Sequence, residues 1–209
     1  MLVLGLDTST PAVSVALVDT GRGVLAERVV LDGRRHGEVL AVGIRAVLAE
    51  SGVRAGDLGA VVVGLGPGPF TGLRVGIVTA ASLADALRVP AYGVCSLDGL
   101  CVNGPGDLAA VTDARRREVY WAVYDGDGTR IGGPHVTRPD VAAAALAGCR
   151  VVGAGALLYR EAFAGLDVRE QPTAPSVGRL VHRADLGGGP EPLVPLYLRR
   201  PDVTEPVPR

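Results

Sequence analysis

Few side chains in this sequence have chemistry to offer, and their spacing narrows what they can do. Asp7 ends an apolar run, Val3 to Leu6, and is followed at once by the hydroxyl-rich turn Thr8-Ser9-Thr10. A site for Mg²⁺ and phosphate needs an acidic oxygen and backbone donors side by side, and this turn could supply both. Two residues after the carboxylate stands Ser9, where close approach of a phosphate favours Gly, so an ordinary structural turn is the competing reading. Asp113 closes a second apolar run and is expected as the partner of Asp7 across a cleft. It leads into Arg115-Arg116-Arg117, which reads either as a contact to a phosphate backbone or as solvated charge at a hairpin tip.

Other motifs argue by what they lack. Gly64-x-Gly66-x-Gly68 and then Gly72 follow a strand and open a helix, yet the spacing is not GxGxxG, and Pro67 and Pro69 remove backbone donors, so the segment reads as a rigid turn. His36 has Leu40 four residues on, which breaks the HxxxH pair that would put two imidazoles on one helix face. All 21 Lys+Arg residues are Arg, and the missing Lys removes Walker A sites, protein-kinase chemistry and Schiff-base enzymes. None of the six Ser lies in GxSxG, and Cys95, Cys101 and Cys149 form no CxxC pair, so buried free thiols are expected. No catalytic residue, metal ligand or cofactor is assigned.

The elements that must position these residues follow from hydrophobic pattern. Within 209 residues, 48% are hydrophobic but only 4% aromatic, so the core is to be built from Ala, Val and Leu. A net charge of −1 lacks the basic surplus of a stand-alone nucleic-acid binder. The N-terminus has no basic leader, and the longest uncharged stretch, Leu58 to Leu73, is broken by Gly and Pro, which points to a cytoplasmic chain with no membrane span. Three antiparallel strands up to Leu31, a helix over 36–51 capped by Gly52, a strand over 60–64 and a helix from Thr71 to before Pro90 make a mixed α/β unit.

The second half echoes the first. Asp7, Val13, Ala16 and Asp19 match Asp113, Val119, Ala122 and Asp125 at a constant offset, and Val62, Gly64 and Gly66 match Val151, Gly153 and Gly155 at a shorter one. Two tandem units are expected, 1–103 and 107–209, meeting at Asn103 to Asp107, the second truncated and ending in a Pro-rich tail.

Such a duplication resembles the actin, Hsp70 and sugar-kinase (RNase H-like) superfamily. Gly5-Leu-Asp-Thr-Ser-Thr10 with Ala12, Gly64-Leu-Gly-Pro-Gly-Pro-Phe-Thr-Gly-Leu-Arg-Val-Gly76, Thr112-Asp-Ala-Arg115, Glu118-Val-Tyr-Trp121 and Pro195-Leu-Tyr-Leu-Arg199 look more closely like the TsaB (YeaZ-like) family. The resemblance implies a non-catalytic subunit of the bacterial machinery that makes N6-threonylcarbamoyladenosine in tRNA. It also implies partnership with the catalytic paralogue TsaD and the ATPase TsaE, tRNA met only within the complex, and a homodimer as one option for the isolated chain. The rival reading is an independent ATP-dependent small-molecule kinase, which would need a Gly-bearing phosphate loop at positions 7–10 and an acceptor base.

The two helices of the first unit carry the partner signal. Each confines its charges to one narrow stripe, Glu38 with Arg45 and Arg74 with Asp85, leaving more apolar surface than one sheet can cover. The expected interface uses Val39, Leu40, Ile44 and Val47 of the first helix with the small-residue row Gly76, Ala80 and Ala84 of the second.

Overall fold

The computed structural model describes residues 1–32 and 35–199. The first half forms β1 (Leu2–Asp7), β2 (Ala12–Asp19), β3 (Gly23–Leu31), α1 (His36–Ser51), β4 (Ala60–Gly64), α2 (Phe70–Leu87) and β5 (Ala91–Val94). They assemble in the order β3-β2-β1-β4-β5, with β1 antiparallel to β2 and parallel to β4. β1, β2 and β4 are buried on both faces, which is why their sequences are unbroken apolar runs instead of alternating ones.

The second half repeats this plan with β6 (Leu108–Asp113), β7 (Val119–Tyr124), β8 (Arg130–Thr137), α3 (Pro139–Ala145), β9 (Arg150–Val152), α4 (Ala154–Leu158) and β10 (Asp167–Val168). Its order, β10-β9-β6-β7-β8, is that of the first sheet. The helix after the third strand shrinks from 16 residues in α1 to 7 in α3. The class is therefore α/β with two tandem mixed sheets, the second smaller.

The duplication holds in strand order but not residue by residue. Asp7 pairs with Ser14, whereas Asp113 pairs with Val119, so the matches of Asp7 with Asp113 and of Val13 with Val119 cannot both hold in one superposition. Likewise Leu4 pairs with Val61 and Ala109 with Val151, each on the face that carries the crossover helices, so Val151 answers to Val61 and not to Val62. A slip of one residue also turns a side chain to the opposite face. Asp113 accordingly lies with Ala109 and Val111 on the face covered by α3 and α4, where Tyr159 reaches it. Asp7 shares the parity of Val3, on the face turned away from α1 and α2.

Helices α1 and α2 lie side by side on one face of the first sheet, over Leu4, Leu6, Val15 and Val63. The other face, with Val3, Val18 and Val62, is covered by α5 (Val177–Arg183) through Val177, Leu180 and Val181. Division of the chain at 103–107 therefore separates the sheets but not the packing, because a helix from the second half completes the core of the first. Residues 195–197 also return to the first half: Leu196 N–H donates to the Leu65 carbonyl at 2.8 Å. Tyr197 stacks on Phe70, whereas Arg199 stays with the second half and donates to the Ala114 carbonyl at 3.0 Å. Residues 200–209 of the expected second unit lie outside the described residues.

Leu180 is fully buried between α5 and the first sheet. Leu180→Ala is expected to destabilise the chain by about 2–5 kcal/mol, read as a lower urea midpoint, although the substitution lies in the second half of the sequence.

Candidate functional site

Most residues with chemical potential in the first half converge at the turn after β1. The Asp7 carboxylate is fully buried. Its Oδ1 accepts from Ser9 N at 3.0 Å and Ser9 Oγ at 2.7 Å, and its Oδ2 accepts from Ser96 Oγ at 2.5 Å. Ser96 Oγ in turn accepts from Gly66 N at 3.0 Å. Burial pushes the Asp7 carboxyl above its ordinary value, and the hydrogen bonds from Ser96 and Ser9 oppose that rise. Gly64 packs directly against it, since a Cβ there would overlap Asp7 Oδ2 and Ser96 Oγ.

Next to it, Thr8 Oγ1 donates to the Gly72 carbonyl at 2.7 Å and accepts from Gly76 N at 3.1 Å, bridging one i,i+4 pair of α2. Gly76 is small because Thr8 fills its place, as a Cβ there would overlap Thr8 Oγ1. His36 Nε2 lies 3.3 Å from the Thr10 carbonyl, which ties the start of α1 to the same turn. The rigid-turn reading of Gly64 to Gly72 therefore has a purpose: the segment wraps the β1–β2 connection and closes it. Ser96, contributed by the short 3₁₀ turn Ser96–Leu100, was not singled out from the sequence, where a lone Ser after Cys95 carries no motif.

Asp113 is elsewhere and differently placed. It is half-buried, accepts from Arg115 N at 2.9 Å and Tyr159 Oη at 3.4 Å, and shares no hydrogen-bond partner with Asp7. Arg115, Arg116 and Arg117 form the exposed tip of the β6–β7 hairpin, with φ of 59°, 52° and 60°. Three consecutive bulky residues in the left-handed region are strained, by about 1–2 kcal/mol each.

The expected partner surface needs correction. Leu40, Ile44 and Val47 of α1, with Ala80 and Ala84 of α2, belong to the buried core between the helices and their own sheet. Gly76 is buried against Thr8, and Val39 is only partly buried. The row of small residues lets α2 approach its own sheet, not a partner. The surplus apolar surface predicted for these helices does exist, on the opposite faces: Val42 is 56% exposed and Val78 61%, with Phe70 and the partly buried Val75 nearby. Phe70, Thr71, Arg74, Val75 and Val78 line an open groove of about 430 Å³. At one end of it the Arg74 guanidinium sits 3.9 Å over the Phe70 ring and donates to Tyr197 Oη at 3.2 Å. Among the described residues no group of three or more His, Cys, Asp or Glu converges.

Two sheets of identical strand order, each with its crossover helices on one face, define a duplicated mixed-sheet α/β protein. A family model described as TsaD, tRNA N6-adenosine threonylcarbamoyltransferase, matches residues 18–148. YeaZ from Pseudomonas aeruginosa superposes with a TM-score of 0.75 at 30% identity, covering 94% of this chain and 99% of that one. A second Pseudomonas aeruginosa structure, described as similar to the peptidase YeaZ, gives a TM-score of 0.80 at 31% identity over 95% and 99%. The tRNA threonylcarbamoyladenosine biosynthesis protein TsaB of Escherichia coli is 37% identical over 132 residues, 61% of this chain and 56% of that protein. An uncharacterised protein of Mycobacterium tuberculosis is 49% identical over 201 residues, 96% of this chain and 92% of that one. The chain belongs to the TsaB/YeaZ family.

Two outcomes follow. Ala80→Arg is expected to lower the melting temperature sharply, because it buries an unpaired charge in the core at a cost of several kcal/mol. For Asp7, burial raises the folded-state carboxyl above the unfolded one, so the stability it contributes is full below the ordinary carboxylate range and is lost as pH rises through the raised value. In urea titrations from about pH 4 upward, the wild type should lose stability relative to Asp7→Asn.

Proposed function

We propose that this chain is the supporting, non-catalytic subunit of a cytoplasmic machinery for N6-threonylcarbamoyladenosine in tRNA. In this reading it docks a catalytic TsaD-like paralogue of the same fold on the outer faces of α1 and α2. One observation carries the reading: the carboxylate that would serve a nucleotide is saturated and enclosed, while the two helices beside it leave Val42, Phe70 and Val78 exposed. Apolar groups gathered on one helical face are what a partner helix pair covers. Family membership supplies the reaction, and the lack of Lys and of a second imidazole after His36 supports a supporting role. A TsaE-like ATPase and tRNA would join in the complex, and in isolation the same face would pair two copies of this chain. The small-molecule kinase reading meets a filled site at Asp7.

The test is co-expression with the TsaD of the same organism. Val78→Arg and Val42→Arg are each expected to weaken association about 100-fold or more by calorimetry, with the melting temperature of the isolated chain unchanged. In cells depleted of the native subunit, wild-type chain should restore the modified nucleoside, measured by mass spectrometry of digested tRNA, and the variants should not. Wild-type chain that fails to bind or restore would overturn the proposal, as would variants that bind as well as wild type.

A further inference from the structure

A second cavity lies far from the helical groove in character. It has a volume of about 400 Å³, within the range of small-ligand sites. Three segments wall it: Cys101 to Asn103 of the connection between the halves, Asp127 of the β7–β8 turn, and Arg179, His182 and Arg183 of α5. Both halves of the chain therefore contribute to it.

Its charge is unbalanced. Arg179 spends its Nε on the Gly99 carbonyl at 2.8 Å, and Arg183 has only the Cys101 thiol, 3.9 Å away. Neither forms an ion pair among the described residues. A third guanidinium, that of Arg150, lies against Gly104 just beyond the wall, and its buried Nε and Nη2 have no hydrogen-bond partner among the described residues. All three cations act on the Cys101 thiol and favour its charged form, although burial outweighs them and leaves the thiol raised.

The carboxylates nearby are engaged elsewhere. Asp98 accepts from Tyr124 Oη at 2.8 Å and faces Arg130, and Glu27 accepts from Val177 N at 3.0 Å. Asp127, exposed at the rim, is the carboxylate that lines the cavity, while Glu27 acts on Arg179 and Asp98 on Arg183 from outside it. The C-terminal end of α5 opposes an anion weakly, and Ala184 N already caps its last carbonyls. Guanidinium groups held together with no carboxylate in ion-pair contact are stabilised by an anion whose geometry matches their forked donors, and phosphate is that anion.

We propose that this cavity binds a phosphate-bearing small molecule, with Arg179 and Arg183 holding the phosphate and Asn103 and His182 as further polar contacts. The site uses no residue of the helical face and stands whether or not that face docks a paralogue. Its location makes the ligand a bridge between the connection after the first sheet and the β7–β8 turn and α5 of the second half.

Inorganic pyrophosphate is the probe, titrated into the full chain by isothermal calorimetry. The expected result is saturable one-to-one binding, weakened about ten-fold or more by Arg183→Gln. Asp127→Asn, which removes the opposing charge at the rim, is expected to tighten it. Melting temperatures without ligand should stay at the wild-type value, since Arg183 and Asp127 are exposed. If Arg183→Gln disturbs folding, the direction of the Asp127→Asn effect alone decides, because damage does not improve affinity. Absence of saturable binding, binding indifferent to Asp127→Asn, or binding of a ten-nucleotide RNA but not of pyrophosphate would overturn the proposal.

Discussion

The arrangement turns on one buried carboxylate. Among the described residues Asp7 has no ion-pair partner, and its solvation comes from hydroxyls and an amide delivered by the turn after β1 and by the 3₁₀ turn after β5. Meeting that demand brings together segments far apart in sequence: Ser96 fixes the glycine-rich loop through Gly66 N, and Thr8 fixes the first turns of α2. Because α2 is held at its N-terminal end and α1 touches the same turn through His36, the relative setting of the two helices is locked from one corner. A groove along a helix held in this way presents its apolar side chains in fixed positions, which lowers the ordering cost of docking a partner.

The same economy explains the division of labour between the faces of α1 and α2. Alanine and glycine in α2 let the helix settle closely on a sheet built from valine, and the larger outward residues, Val75 and Val78, are left for other contacts. Phe70 and Tyr197 meet at the edge of the groove, under the guanidinium of Arg74, so the returning tail takes part in shaping that surface.

Much of the fold was legible because it rests on patterns with long reach. The unbroken valine run of β4, the Gly52 cap of α1 and the echo of strand order in the second half are local signals that nothing in the tertiary structure opposes. Register was not legible, since a pairing shift of one residue leaves every local pattern intact while moving Asp113 to another face. The helix faces failed for a related reason. Leu40, Ile44 and Val47 lie on one side of α1 and Val42 on another, but both sides are apolar, and amphipathic pattern cannot rank two apolar faces. Small residues misled further, for a Gly, Ala, Ala row signals close approach without naming what approaches. Ser96 was invisible because its role depends wholly on the β5 exit lying beside Asp7.

The place of α5 sets an order of events during synthesis. Domains usually fold from the N-terminus as they leave the ribosome, and the first sheet is complete in hydrogen bonding once β5 has emerged. Yet Val3, Val18 and Val62 remain bare on one side until α5 is made, near the end of the chain. The nascent protein thus carries a finished sheet with an uncovered apolar flank for most of the time taken to translate its second half, a window in which chaperone capture or aggregation competes with correct closure.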